Sequence, residues 1–153
     1  MVHLDPLDRK LLRLLQKRAD LSQAALAEEV GSSPASCWRR IKALEDAGVL
    51  GPTVRLLNPR AIGKNLDAIC QVRMKAHDQA SRAAFEEFVG QQEEVLECLS
   101  MSGEWDYQLR ITVGNVEDYE DLLMRRLLSH PAVATSATHF ALKRIKYTTA
   151  VPV

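Results

Sequence analysis

Hydrophobic positions along this chain follow two rhythms. Up to about residue 50 they recur three and four apart, the period of a helix; from Leu66 onward they alternate, the period of a strand. Leu7, Leu11, Leu14 and Leu15 make the first helical stripe. Asp5 is placed to cap that helix, Pro6 suits its first position and Asp8 sits near its positive end; the pattern runs out near Ala19 and Asp20. Ser22 is the cap expected for a second helix, with Leu21 as a staple on Leu26. Leu26, Ala27 and Val30 then face inward, and Gly31 ends the helix.

Ser33-Pro34 opens a third helix and Gly48 stops it. Cys37, Ile41 and Leu44 form its apolar stripe. The opposite face carries Ala35, Ser36, Arg39, Arg40 and Ala43, small side chains beside two guanidiniums. Such a face suits a DNA major groove, where small residues permit close approach and Arg meets guanine edges or phosphates. It equally suits a solvated surface helix, and the element before it decides. A short helix, a Gly-containing turn and a second helix with a basic outer face make a helix-turn-helix over 23–42. Trp38 neighbours the buried stripe and is expected to pack on the first helix rather than read a base. Two short apolar runs around Gly51-Pro52-Thr53 predict a small hairpin over 49–57, the wing of a winged helix, with Arg55 near a phosphate. Asn58-Pro59 starts a turn, and Gly63-Lys64-Asn65 reads as a hinge.

In the second half, Ala68, Cys70, Val72 and Met74 alternate with Ile69, Gln71, Arg73 and Lys75, which predicts a strand. Residues 79–91 are helical, with Phe85, Phe88 and Val89 on one face. Val95–Ser102 and Trp105–Val113 read as hairpin partners about a Gly103-Glu104 turn. Asn115 caps a further helix carrying Tyr119, Leu122, Leu123 and Leu127, and a long last strand runs from Val133 to about Val151. The order βαββαβ is a ferredoxin-like split arrangement, and the fold class is α+β. Two helices cover one face of such a sheet. Apolar residues at both parities near Leu96, Cys98 and Leu99, and again near Phe140, Leu142 and Ile145, imply a second face buried against another subunit.

Composition changes this picture in one respect. The net charge is zero, yet residues 1–64 hold 11 Lys+Arg against 7 Asp+Glu and residues 65–153 hold 9 against 13. A basic front and an acidic rear imply two domains with different partners. No apolar run reaches the ~18 residues of a membrane span, no signal peptide is visible, and three cysteines without close spacing fit reduced thiols in the cytoplasm.

The stretches LDPLDRKLLRLLQKRADLS, LAEEVGSSPASCWRRIKALEDAGVL, LLNPRAIG and SGEWDYQLR, in that order and over essentially the whole chain, resemble the Lrp/AsnC (leucine-responsive, feast/famine) family of prokaryotic transcription regulators. The ending FALKRIKYTTAVP is most like a branch that includes a cysteine-responsive regulator. The resemblance implies a DNA-binding domain over 1–57, a hinge over 58–66 and a sensing and oligomerising domain over 67–153. It implies dimers, associating into tetramers of dimers, with an amino acid or related small molecule bound between subunits. The family's effector loop matches Ser102, Gly103, Glu104, Trp105, Asp106 and Tyr107, and the second wall would come from Thr138, His139 and Phe140 with Val116 nearby. Asp106 suits an ammonium, and backbone N–H groups at Gly103-Glu104 suit a carboxylate; by themselves those residues also suit a plain hairpin. Cysteine, methionine and leucine-like effectors all fit the resemblance, and no cofactor is implied.

On the DNA side, Arg39 and Arg40 would contact bases or phosphates. Ser33 and Ser36 would bond phosphates beside Pro34, and Lys42 and Arg55 would add attraction. The family often has a second Pro where this chain has Ser36, and another residue in place of Pro52. An enzyme is disfavoured: His3, His77, His130 and His139 are scattered, and there is no GxSxG or phosphate-cradling loop. RNA binding by the sheet is disfavoured too, because Trp105 and Tyr107 alone would have to serve as stacking aromatics in an acidic domain.

Overall fold

The computed structural model describes residues 2–153; Met1, the first residue of the expected DNA-binding domain, lies outside them. The chain folds as two compact units, one running to Leu56 and including Lys146–Val153, the other spanning Leu57–Ile145.

The first unit holds α1 (Pro6–Leu15), α2 (Gln23–Val30) and α3 (Pro34–Asp46). Asp5 Oδ1 accepts from the Leu7 and Asp8 N–H groups at 2.8 Å each, while the Asp5 N–H donates to Asp8 Oδ2 at 3.1 Å, a closed capping box. Ser22 caps α2 by accepting from Ala25 N–H. Gly31 ends it at φ 71°, a left-handed conformation that lets the Ser32 N–H reach Ala27 O. The three stripes meet in a core of Leu11, Leu26, Ala27, Val30 and Cys37, flanked by Leu7, Leu14, Leu21 and Ile41. The expected hairpin over 49–57 carries no ladder: residues 51–57 are irregular, with Val54, Leu56 and Leu57 exposed. Pro52 withholds a ladder donor, and a two-stranded ribbon with nothing to pack on is marginal.

The last eight residues differ from expectation. The final strand stops at Phe140 rather than near Val151, and Lys146–Val153 cluster with the helices of the first unit. Gln16 holds this tail through both of its amide atoms, Nε2 donating to Val151 O at 3.0 Å and Oε1 accepting from Val151 N–H at 2.5 Å. Arg13 Nε donates to Val153 O at 2.7 Å.

The second unit begins with a 3₁₀ turn, Pro59–Ile62, capped by Asn58 and closed by Gly63, so the stretch expected as a hinge packs within this unit. β1 (Leu66–Met74), α4 (Gln79–Gly90), β2 (Val95–Ser100), β3 (Tyr107–Val113), α5 (Val116–Glu120) continued by a π-helical segment (Asp121–Leu127), and β4 (Val133–Phe140) follow. The sheet order is β2-β3-β1-β4, antiparallel throughout. Register puts Cys70 beside Leu109 and Thr138. One face is therefore Ala68, Cys70, Val72 and Met74 with Tyr107, Leu109, Ile111 and Val113, and it packs under Phe85, Val89, Tyr119, Leu122 and Leu127. Phe85 is central, its ring 4.9 Å from Tyr107.

The other face presents Ile69, Gln71, Gln108, Arg110, Leu99 and Ala137, more polar than a fully apolar second face. Apolar residues at both parities have other causes. A bulge between Val95 and Glu97 breaks the alternation of β2, and Leu96 and Cys98 line an open cavity of about 470 Å³ against α4. Leu142 and Ile145 belong to no strand.

Candidate DNA interface and effector loop

α3 displays its outer face by the way it is fixed at both ends. Ser33 caps it, its Oγ accepting from Ser36 N–H at 3.2 Å. Gly48, at φ 69°, turns the chain away while the Val49 N–H donates to Leu44 O. Cys37 and Leu44 are buried, so Pro34, Ala35, Arg39, Lys42 and Ala43 stand exposed and Ser36 half-buried. Arg39 has no ion-pair partner among the described residues; Lys42 meets Asp46 at 3.2 Å, an exposed pair one turn away. Trp38 is 59 % exposed and shares this face with Arg39 and Lys42, instead of packing on α1 as expected.

Arg40 has a different environment from Arg39. Its Nη1 donates to Asp5 Oδ2 at 2.6 Å and to Asp8 Oδ1 at 2.7 Å. Arg40 flanks the buried stripe and ties α3 to α1 through Nη1. Asp8, then Asp5, push the guanidinium pKa further up. The Asp8 N–H, and after it the guanidinium, hold the Asp5 carboxyl below its ordinary value. Ser33 has its oxygen engaged in the cap, leaving its hydroxyl proton to donate. Arg55 is exposed on the irregular stretch after Gly51.

The loop of residues 101–106 joins β2 to β3. Met101 N–H donates to Asp106 O at 2.8 Å, closing it, and Gly103 takes φ 112°, a value that favours glycine. Asp106 anchors it: Oδ2 accepts from Met74 N–H at 2.7 Å and Oδ1 lies 2.8 Å from His77 Nε2. Both carboxylate oxygens already have partners, which leaves only their remaining lone pairs for an ammonium. The N–H groups of Gly103 and Glu104 find no acceptor among the described residues.

Arg73 was not singled out by its sequence context. It projects from β1 on the face away from the helices, donates from Nη2 to Glu104 Oε1 at 2.6 Å and from Nε to Glu104 O at 3.2 Å. It also lies 5.0 Å from the centre of the Trp105 ring, a cation–π contact. Its place in the polar parity of β1 was the available signal.

Tyr107 does not line the loop. It is the first residue of β3, buried among the helix-side residues, with its hydroxyl donating to Glu86 Oε1 at 2.6 Å; burial, then Glu86, push its pKa up. The second expected wall divides likewise. The Thr138 hydroxyl bonds Tyr119 Oη at 2.5 Å, and Phe140 packs edge-on to Tyr119 at 5.2 Å. His139 faces the opposite side of the sheet, and Val116 is exposed at the start of α5.

Register separates the two walls. The loop attaches at Val72–Met74, whereas Phe140 pairs with Ala68. Four to six strand residues span roughly 13–20 Å. Within one protomer Phe140 therefore stands four to six residues along β1 from the loop, while Thr138, opposite Cys70, lies nearer to it.

Residues 67–151 match the family model of the Lrp/AsnC ligand binding domain, and residues 4–50 match that of a winged helix-turn-helix DNA-binding domain. The chain is 39 % identical over 150 residues to the DNA-binding transcriptional activator DecR of Escherichia coli K12, covering 98 % of this chain and 99 % of that one. It is 34 % identical over 145 residues to the leucine-responsive regulatory protein of Rhizobium meliloti, covering 95 % and 93 %. Its fold superposes on a transcriptional regulator of Neisseria meningitidis, solved as a complex with L-Met, with a TM-score of 0.94 at 35 % identity, covering 98 % and 97 %.

Proposed function

The chain belongs to the Lrp/AsnC family of DNA-binding transcriptional regulators, and we propose that it reads operator DNA with the outer face of α3 while an amino acid bound between subunits sets promoter occupancy. It is a transcription regulator and not an enzyme. The observation that carries the base-reading assignment is the exposed face of Arg39, Trp38 and Lys42, with small Ala35 and Ala43 between them. Ser33, Ser36 and Pro34 lie at the end of α3 where phosphates approach, and Arg55 adds charge. Arg40 sets the angle of α3.

Amino acids as effectors are supported by the L-Met held by the Neisseria meningitidis regulator and by the chemistry of the loop. Open N–H groups at Gly103 and Glu104 suit a carboxylate, and Asp106 and Glu104 offer lone pairs to an ammonium. The separation of the loop from Phe140 along β1 supports a site completed by a second subunit, with Thr138, His139 and Val116 on its other wall. Leu142 and Ile145, 98 % and 83 % exposed, are apolar surface that self-association would cover. No helix among the described residues is long and apolar enough to cross a membrane, and the protein acts on DNA in the cytoplasm as dimers and larger assemblies.

The test combines two measurements. Thermal unfolding is followed against each of the twenty amino acids, where a ligand at 100 times its dissociation constant adds about 2.7 kcal/mol. Affinity for a duplex selected by the protein from a random pool is then measured with and without the stabilising ligand. A ligand that stabilises the protein and shifts DNA affinity is the expected result. Stabilisation by none of the twenty would refute the amino-acid reading.

A further inference from the structure

The second unit is acidic as a whole, yet it gathers cations at one place. Arg60, Lys64, Lys143 and Arg144 line a concavity of about 220 Å³ whose one carboxylate is Asp67. Arg60 and Lys64 follow the first passage of the chain between units, and Lys143 and Arg144 precede the second. Asp67 is already committed: its two oxygens accept from Arg144 Nη2 at 2.8 Å each, and Oδ1 also accepts from the Thr112 hydroxyl at 2.7 Å. Arg60, Lys64 and Lys143 have no ion-pair partner within 4.0 Å among the described residues. Lys64 also feels Glu94 at longer range, but Arg126 already holds that carboxylate at 2.6 Å.

Like charges gathered in a concavity repel one another and focus positive potential on whatever enters it. Asn58 caps the 3₁₀ turn without these side chains, and Asp67 pairs with Arg144, leaving the charges of Arg60, Lys64 and Lys143 without an ion-pair partner among the described residues. An anion with several acceptor oxygens is the complement, and long, exposed Lys and Arg heads suit a phosphate better than an apolar ligand. Once α3 holds operator DNA, phosphates reach a tethered site at an effective concentration that makes even a weak contact count.

We propose that the Arg60, Lys64, Lys143 and Arg144 patch grips a backbone phosphate of the DNA flanking the base pairs read by α3, so that the sensing unit itself touches the duplex. Such a contact adds affinity without sequence preference and steepens the dependence of binding on salt. It also gives the sensing unit a direct hold on the DNA path.

The test uses the full chain, a Lys64→Gln/Lys143→Gln double variant and a charge-retaining Lys64→Arg/Lys143→Arg control. Binding is measured across a salt series on the selected duplex with long flanks and on the same duplex trimmed to the α3 footprint. On the long duplex the Gln variant should bind several-fold more weakly. Its log K against log salt slope should be shallower by about 0.9 for the one phosphate that each bound protomer holds. The loss should be the same with scrambled flanks, should vanish on the trimmed duplex, and should be absent from the Arg control. Equal slopes for wild type and Gln variant on the long duplex would overturn the proposal. So would a calorimetric heat with inorganic phosphate that the Gln variant loses while its DNA slope stays unchanged, because the site would then serve a free anion. Arg39→Ala on the trimmed duplex reports separately on base reading by α3.

Discussion

Arg40 of α3 reaches Asp5, the cap of α1, with Nη1 2.6 Å from Oδ2. The carboxylate that starts one helix thus fixes another, and Asp8 shares the load at 2.7 Å. Arg40 Nε is buried without a partner, so the guanidinium is placed by this contact and not by surrounding polar groups. Arg40→Gln should lower the unfolding midpoint by several degrees and weaken binding to specific and scrambled DNA alike, because α3 loses its support. Calorimetric melting and anisotropy check this; unchanged melting with lost base preference would return Arg40 to the base-reading face.

The same contact sets an acid limit. Hydrogen bonding holds the Asp5 carboxyl below its ordinary value, and Arg126 does the same to Glu94. A carboxyl whose folded pKa is depressed stabilises the fold above its unfolded pKa, and that stabilisation fades as pH falls through the folded value. Stability should be level above about pH 5 and should fall progressively below about pH 4.5. Asp5→Asn should flatten the fall at the low-pH end. Denaturant titrations between pH 2 and 7 follow both.

Arg39 and Trp38 should separate from Arg40 in their signature. Arg39→Ala should cost about 1–3 kcal/mol of operator affinity if the guanidinium is bidentate to guanine, with melting unchanged because the side chain is exposed. Trp38→Ala should also weaken DNA binding and leave stability within about 0.5 kcal/mol, as for an exposed substitution. Loss of stability in Trp38→Ala would put the ring back in the core.

Helix spacing, caps and strand alternation made the elements readable in advance. Ser22, Ser33 and Asp5 cap where their chemistry put them, and Cys70, Val72, Leu109 and Ile111 face the helices as alternation required. The face of Ala35, Ser36, Arg39, Arg40 and Ala43 and the most exposed face of α3 differ by one step of a helical wheel. At 100° per residue Arg40 stands about 60° from Cys37, on the flank of the buried stripe, while Lys42 and Arg39 centre near the opposite side. Trp38 was assigned by hydrophobicity, although it turns about 100° from the stripe on the other flank. Long-range partners were out of reach: nothing local links Arg73 to Glu104, Gln16 to Val151 or Asp106 to Met74. The early end of the last strand was hidden because Leu142 and Ile145 keep an apolar pattern beyond the Ala68–Phe140 pair, the last rung of the β1–β4 ladder.

Asp106 and Glu104 assign the effector loop between anchoring and binding. Asp106→Asn keeps an acceptor for the Met74 N–H and removes the charge, so it should weaken an amino-acid effector at least about tenfold while leaving the unliganded protein folded. Glu104→Gln releases Arg73 and should shift effector affinity without touching DNA affinity measured in its absence. Titration calorimetry with the ligand found by thermal screening reads both. An Asp106→Asn protein that keeps full ligand affinity would restrict Asp106 to holding the loop.

Leu142 and Ile145 lie beyond the end of β4, almost fully exposed, in a stretch that gains no ladder from its own chain. Two apolar side chains in water forgo on the order of 1.5–3 kcal/mol each relative to burial. If a second subunit covers them, Leu142→Asp/Ile145→Asp should break the assembly, because a carboxylate in that contact is desolvated without a partner. Sedimentation should show a smaller species with the second unit still folded, since neither residue belongs to its core. The two-subunit effector site should fail with it: ligand binding should disappear, because the loop at Val72–Met74 and the wall at Thr138–Phe140 no longer meet. A variant that sediments as the wild type would free this segment from the interface, and a smaller species that still binds the effector would place the whole site within one protomer.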